Sequence, residues 1–161
     1  MTVIWLIVAV GVGATLWTDL INELRRRLLG ATVPDYASVG RWIGHMRFGK
    51  FTHASIRQAD PVPGEQLLGW CVHYVIGVVF AGALIVWQGV DWLYQPVIMP
   101  ALLFGVMTVL FPFLLLQPAL GAGFAASRTP SPTKARWGSL INHVLFGLGL
   151  YATAGALTMF I

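Results

Sequence analysis

From Trp92 to Ser127 the chain reads WLYQPVIMPALLFGVMTVLFPFLLLQPALGAGFAAS, with no Asp, Glu, Lys, Arg or His anywhere in the stretch. A surface helix of a soluble protein keeps a polar stripe, whereas about 20 apolar helical residues span the roughly 30 Å of a hydrocarbon core. The stretch is therefore read as a membrane span. With three further apolar runs of similar length, the spans fall at about 3–24, 67–88, 96–122 and 137–160. Composition agrees: 57% of the 161 residues are hydrophobic and 10% charged, against about 25% charged in a soluble domain. The expected fold is an all-α integral membrane protein, a single membrane domain over 1–161 built as a bundle of four transmembrane helices.

The charges report orientation. Arg25, Arg26, Arg27, Arg41, Arg47, Lys50 and Arg57 lie between the first two helices, and Arg128, Lys134 and Arg136 between the last two. The turn between helices two and three carries Asp91 and no basic residue. Lys and Arg collect on the cytoplasmic side of short loops, so loops 30–64 and 126–136 are expected in the cytoplasm and both termini outside it. Trp87, Trp92 and Tyr94 are then expected at the outer interface. MTVIWL has no basic residue and its apolar run leads into Arg25-Arg-Arg27, so the first span is expected to stay as a helix rather than be removed as a signal segment.

The first basic loop is long enough for structure of its own. Between Tyr36 and Phe48, Val39, Trp42, Ile43 and Met46 recur at helical spacing, which predicts an amphipathic interfacial helix. Asp60-Pro-Val-Pro-Gly64 then breaks the chain before helix two, and Glu65 falls in that helix's first turn, where its dipole favours a carboxylate. In helix three, Pro112, Pro118 and Gly121-Ala-Gly123 predict a kinked or discontinuous span. Small residues, among them Ala9, Gly13, Gly77, Ala81, Gly147, Gly149, Ala152 and Ala156, let membrane helices approach closely and offer faces for homo-oligomerisation.

Composition also excludes classes. The formal charge is +4, yet the cations are too dispersed for a phosphate track, so no nucleic-acid partner is expected. Cys71 is the single cysteine and is expected to be buried; neither an intramolecular disulfide nor a GxSxG nucleophile is available.

Several strings together, Gly40-Arg-Trp-Ile-Gly-His-Met46, Phe51-Thr-His53, Leu68-Gly-Trp70 and Gln117-Pro-Ala-Leu-Gly-Ala-Gly-Phe-Ala-Ala-Ser-Arg-Thr-Pro130, resemble a family of small bacterial integral membrane proteins known as a domain of unknown function. The resemblance covers nearly the whole chain. It implies a protein of about four helices in the bacterial inner membrane, and it carries over no activity or site residue.

The remaining signal is depth. At 1.5 Å per residue, Asp19 lies about 9 Å before Arg25, His73 about 12 Å beyond Glu65 and His143 about 10 Å beyond Arg136, with Gln117 in the same half of helix three. Glu23 shares the face of Asp19. A small molecule or ion is therefore expected at a cytoplasm-facing polar site drawn from Asp19, Glu23, His73, Gln117 and His143, with Arg41 and His45 from the loop, and bound or transported there. Asp19, Glu23, His73 and His143 form a ligand set suited to a divalent metal, or His73 and His143 the axial pair of a b-type haem, for an enzyme acting on a lipid-soluble substrate. His53 could join His45 as a ligand or lid.

Each residue also has a structural reading: Asp19 and Glu23 as partners of nearby arginines, His73 and His143 as links between helices, His45 and His53 as interfacial residues, Gln117 as a partner for carbonyls freed by Pro118. The whole chain then reads as an assembly subunit, its basic loop docked on anionic lipid headgroups.

Overall fold

A computed structural model describes residues 2–160; they are helical and irregular, with no strand among them. The helices are α1 (Val3–Leu29), α2 (Tyr36–Met46), α3 (Glu65–Gln88), α4 (Ile98–Thr108), α5 (Gln117–Ala119) and α6 (Pro132–Leu157). A π-helical turn over Pro112–Leu116 stands between α4 and α5. Four segments, Val3–Leu29, Glu65–Gln88, Ile98–Ala119 and Pro132–Leu157, are long and apolar enough to cross a membrane. The chain is a multi-pass, all-helical membrane protein.

The boundaries differ from expectation for local reasons. The first helix runs on to Leu29 because Arg26 and Arg27 occupy its last turn, where the dipole favours cations. Gly30, at φ 62, then closes it, donating its N–H to Arg26 O while Ala31 donates to Arg25 O. Helix α3 begins two residues early at Glu65, whose carboxylate accepts the Val62 N–H at 2.8 Å. Helix α6 begins at Pro132, a residue whose missing N–H costs nothing in a first turn. The kink expected in the third span is the π turn: Pro112 has no N–H to give, and the Gln117 N–H reaches back five residues to the Pro112 carbonyl.

The chain folds into two compact units that alternate along the sequence. One comprises Met1–Val33, Tyr74–Thr108 and Leu140–Ile161. Its core gathers Leu6, Val10 and Ala14 of α1, Ala81, Leu84 and Ile85 of α3, Ala101 of α4, and Phe146, Leu150 and Ala154 of α6, with Trp92 and Leu93. Glycines set how closely these helices approach. A Cβ on Gly11 would lie 2.5 Å from Val78 Cα, and one on Gly105 would lie 2.6 Å from His143 O and 2.7 Å from Gly147 Cα. Ala152 and Ala156, expected as packing positions, are exposed. Trp92 is buried and its indole N–H reaches Val97 O at 3.2 Å, while Trp87 and Tyr94 are exposed.

The other unit comprises Pro34–His73 and Val109–Ser139. The amphipathic α2 forms as expected, started by Asp35, which accepts the Ser38 N–H. Its apolar face is covered by the chain: Trp42 packs with Ile56 and Ala119, and Ile43, Met46, Leu116 and Leu120 close around them. Gly40 of α2 and Gly69 of α3 meet backbone, the first facing Glu65 O and the second Tyr36 O. Cys71 is exposed rather than buried. In lipid an apolar side chain gains nothing by turning inward, so hydrophobicity does not dictate burial there.

Replacing Gly105 by Ala is expected to cost about 1–3 kcal/mol, because backbone rather than a flexible side chain must yield. Gly155→Ala in α6, where an added Cβ meets nothing within 4 Å, is expected to leave stability unchanged or slightly raised. Equilibrium unfolding of the two variants in mixed micelles checks the contrast.

Candidate functional site

The polar residues of the first unit are met by near neighbours. Asp19 accepts from the Tyr74 hydroxyl. Glu23 gives both carboxylate oxygens to arginines one turn on, at 2.7 Å to Arg26 Nε and Nη2 and 2.6 Å to Arg27 Nε. These are exposed pairs of modest, salt-screened strength. Thr108 Oγ1 lies 2.6 Å from Gly105 O and 2.8 Å from His143 Nδ1. A hydroxyl has one proton, and with it on the Gly105 carbonyl His143 donates through Nδ1. Arg25 Nη1 donates to Asn22 Oδ1 at 2.8 Å and reaches Asn142 Oδ1 at 3.5 Å.

In the second unit, Arg41 is the structural tie. Its Nε and Nη2 bind both oxygens of Glu65 at 2.9 and 2.7 Å, while Nη1 donates to Ile56 O and Ala59 O at 3.2 and 3.1 Å. One guanidinium thereby joins α2, the first turn of α3 and the 3₁₀ turn at Ile56–Gln58, in the two-pronged geometry that carboxylates favour. The Glu65 carboxylate beside it raises the Arg41 pKa further above its already high ordinary value. His73 Nε2 is 2.9 Å from the Tyr36 hydroxyl and its ring stacks on Tyr36 with centroids 4.2 Å apart. Gln117 donates to Ser139 Oγ at 3.1 Å, and its Oε1 is buried without a partner.

The least settled chemistry lies at two histidines. His45, near the end of α2, and His53 are both 8% exposed, and His45 Nδ1 stands 2.8 Å from His53 Nε2. The chain reverses between them through Gly49 at φ 72, with the Phe48 and Lys50 N–H groups both donating to His45 O. Segment 53–56 is then held by two backbone bonds, His53 N–H to Ala119 O at 2.9 Å and Ile56 N–H to Leu120 O at 3.0 Å.

His53 Nδ1 is buried. The Ala119 carbonyl lies close enough to the His53 ring to favour its protonated form, so the one proton between His45 Nδ1 and His53 Nε2 can sit on either ring. Burial, with Lys50 and His45 nearby, lowers the His53 pKa below its ordinary value. Beside the pair is an open cleft of about 270 Å³ lined by His45, Arg47, Phe48, Lys50, Asp60, Pro61, Val62 and Pro63. Arg47, Lys50 and Asp60 make no ion pair with any described residue, and the Arg47 guanidinium lies 4.6 Å above the Phe48 ring.

A family model described as a protein of unknown function (DUF2938) matches residues 8–157. The chain belongs to the DUF2938 family. No curated protein and no solved structure matches it. The match takes in every candidate residue from Asp19 to His143 and assigns none of them a role.

In this DUF2938 protein the expected site residues divide between the units. Asp19, Glu23 and His143 belong to the first, and Arg41, His45, His73 and Gln117 to the second. Among the described residues no group of three or more His, Cys, Asp or Glu is placed to hold a metal ion, and Glu23 is committed to Arg26 and Arg27. The sequence pointed to His45 and His53 together as ligands or a lid; their direct hydrogen bond across eight residues follows no helical spacing. Arg47, Lys50 and Asp60 carried no motif, and their convergence depends on the Gly49 turn and the Asp60-Pro segment.

A histidine whose pKa falls on folding stabilises the fold above its unfolded value, and that contribution is lost as pH drops and the unfolded chain binds the extra proton. The DUF2938 protein is accordingly expected to lose thermal stability as pH falls below 6.5, at roughly 2–4 °C per kcal/mol. His53→Gln is expected to flatten the acid limb. Melting curves between about pH 7.5 and about pH 5.5 test this; an unchanged limb in the variant would assign the loss elsewhere.

Proposed function

We propose that this protein sits in the bacterial inner membrane with its basic loops in the cytoplasm and both termini outside, and that it binds a small anionic group at the cleft lined by His45, Arg47 and Lys50. The observation that carries the binding reading is the convergence of two unpaired cations, Arg47 and Lys50, on a cleft beside a buried, hydrogen-bonded imidazole pair. An anion there meets two cations, with the His45 ring in the cleft wall. The orientation is supported by the distribution of Lys and Arg: both basic loops lie on one side of the four spans, and the Gly89–Gln95 turn and the termini contain none. The reading is of binding. Movement of the ligand across the bilayer would require association of several copies, because four spans are too few to enclose a path.

The binding test is a thermal shift of the purified protein with monoethyl phosphate, using glycerol as the uncharged control. Monoethyl phosphate at 100 times its dissociation constant is expected to stabilise the wild type by about 2.7 kcal/mol. The double variant Arg47→Ala, Lys50→Ala is expected to weaken binding at least about tenfold, as loss of charge-assisted hydrogen bonds requires. No shift with the phosphate ester would remove the binding reading and leave a structural subunit. For orientation, alkaline phosphatase fused after residue 161 is expected to be active and a fusion in the 126–136 loop inactive; the reverse pattern would invert the topology.

A further inference from the structure

Asp60 lines the same cleft as Arg47 and Lys50. Resting on the anion-binding reading above, we propose that the cleft takes a zwitterionic phosphoamine, a phosphate ester carrying a primary amine a few bonds away, with the phosphate on the cations and the amine on Asp60. A purely anionic ligand would leave the Asp60 carboxylate unused and repelling, and a purely cationic one would be opposed by Arg47 and Lys50. A ligand bearing both signs satisfies all three.

Three features support the assignment. Opposite charges line one cleft without pairing with each other or with any other described residue, so neither sign is consumed by the fold. Asp60 stands at the head of Asp60-Pro-Val-Pro, where Pro61 and Pro63 restrict the backbone and Val62 packs against Gly44 of α2; a carboxylate presented on a stiff segment loses little entropy on binding. The turn that carries Arg47 and Lys50 also exposes Phe48 (72%) and Phe51 (57%). Aromatic rings exposed beside cations suit the headgroup level of a bilayer, so a lipid headgroup is the favoured source of the phosphoamine, with a free aminoalkyl phosphate as the other.

The experiment is calorimetric titration of the full chain in a maltoside detergent with four probes: O-phosphoethanolamine, monoethyl phosphate, dihexanoyl phosphatidylethanolamine and dihexanoyl phosphatidylglycerol. Each amine-bearing probe is expected to bind about tenfold tighter than its amine-free counterpart, the scale of one charge-assisted hydrogen bond. In Asp60→Asn that preference is expected to vanish while monoethyl phosphate binds at least as well as to wild type. Tighter binding of the dihexanoyl lipid than of O-phosphoethanolamine identifies a membrane lipid as the source; equal binding identifies the free compound. Equal affinity for amine-bearing and amine-free probes in the wild type overturns the phosphoamine assignment and leaves the anion site standing. Failure of all four to bind overturns both. Asp60 is exposed, so its substitution does not endanger the fold; wild-type melting behaviour of the variant is the control.

Discussion

In hydrocarbon no water is present to satisfy backbone N–H and C=O groups, so a spanning segment must satisfy them within itself. That constraint shapes each part of this protein. It makes the four long apolar segments helices and presses irregular backbone into the segments between them, where Gly30, Gly49 and Gly89 adopt positive φ. It also explains the form taken by the third span. Pro112 removes a donor in mid-helix, and a π turn restores the bonding five residues on rather than letting the helix break. Packing obeys the same medium: with no hydrophobic gain from leaving lipid, helices are held by close approach. Bare Cα positions such as Gly11, Gly105 and Gly147 are therefore where helix backbones of the first unit meet closely.

The second unit is organised by charge as well as by shape. A carboxylate at the start of α3 is half of the requirement; Arg41, four donors deep in Glu65 and two loop carbonyls, is the other half. With that tie made, the chain between α2 and α3 has little freedom. The Ile56 turn and the Asp60-Pro segment are placed beside α2, and Trp42 closes over Ile56 and Ala119. What the tie leaves over is an unmatched Gln117 oxygen and, around an open cleft, charges of both signs.

The span assignments were legible because apolar length and the absence of charge leave a single structural solution in lipid. The pairing of Glu23 with Arg26 and Arg27 was legible as well, because those cations stand one helical turn away in the same helix. The other partners were not: Tyr74 for Asp19, Tyr36 for His73, Ser139 for Gln117 and Thr108 for His143 lie far along the chain or on other helices, and no spacing marks them.

The composition and order of residues are sufficient for four membrane-spanning helices, an amphipathic helix in the first basic loop, an irregular third span and membership in a family that runs from residue 8 to 157. These properties depend on local periodicity and on transfer from water to lipid, both additive along the chain. The pairing of His45 with His53, the Arg41 and Glu65 tie, the covering of Trp42 and the burial of Trp92 depend on which surfaces meet once turns have been made. Such meetings are set by backbone reversals at single residues like Gly49 and by close approach at Gly40 and Gly69, and no periodicity in the chain encodes their outcome.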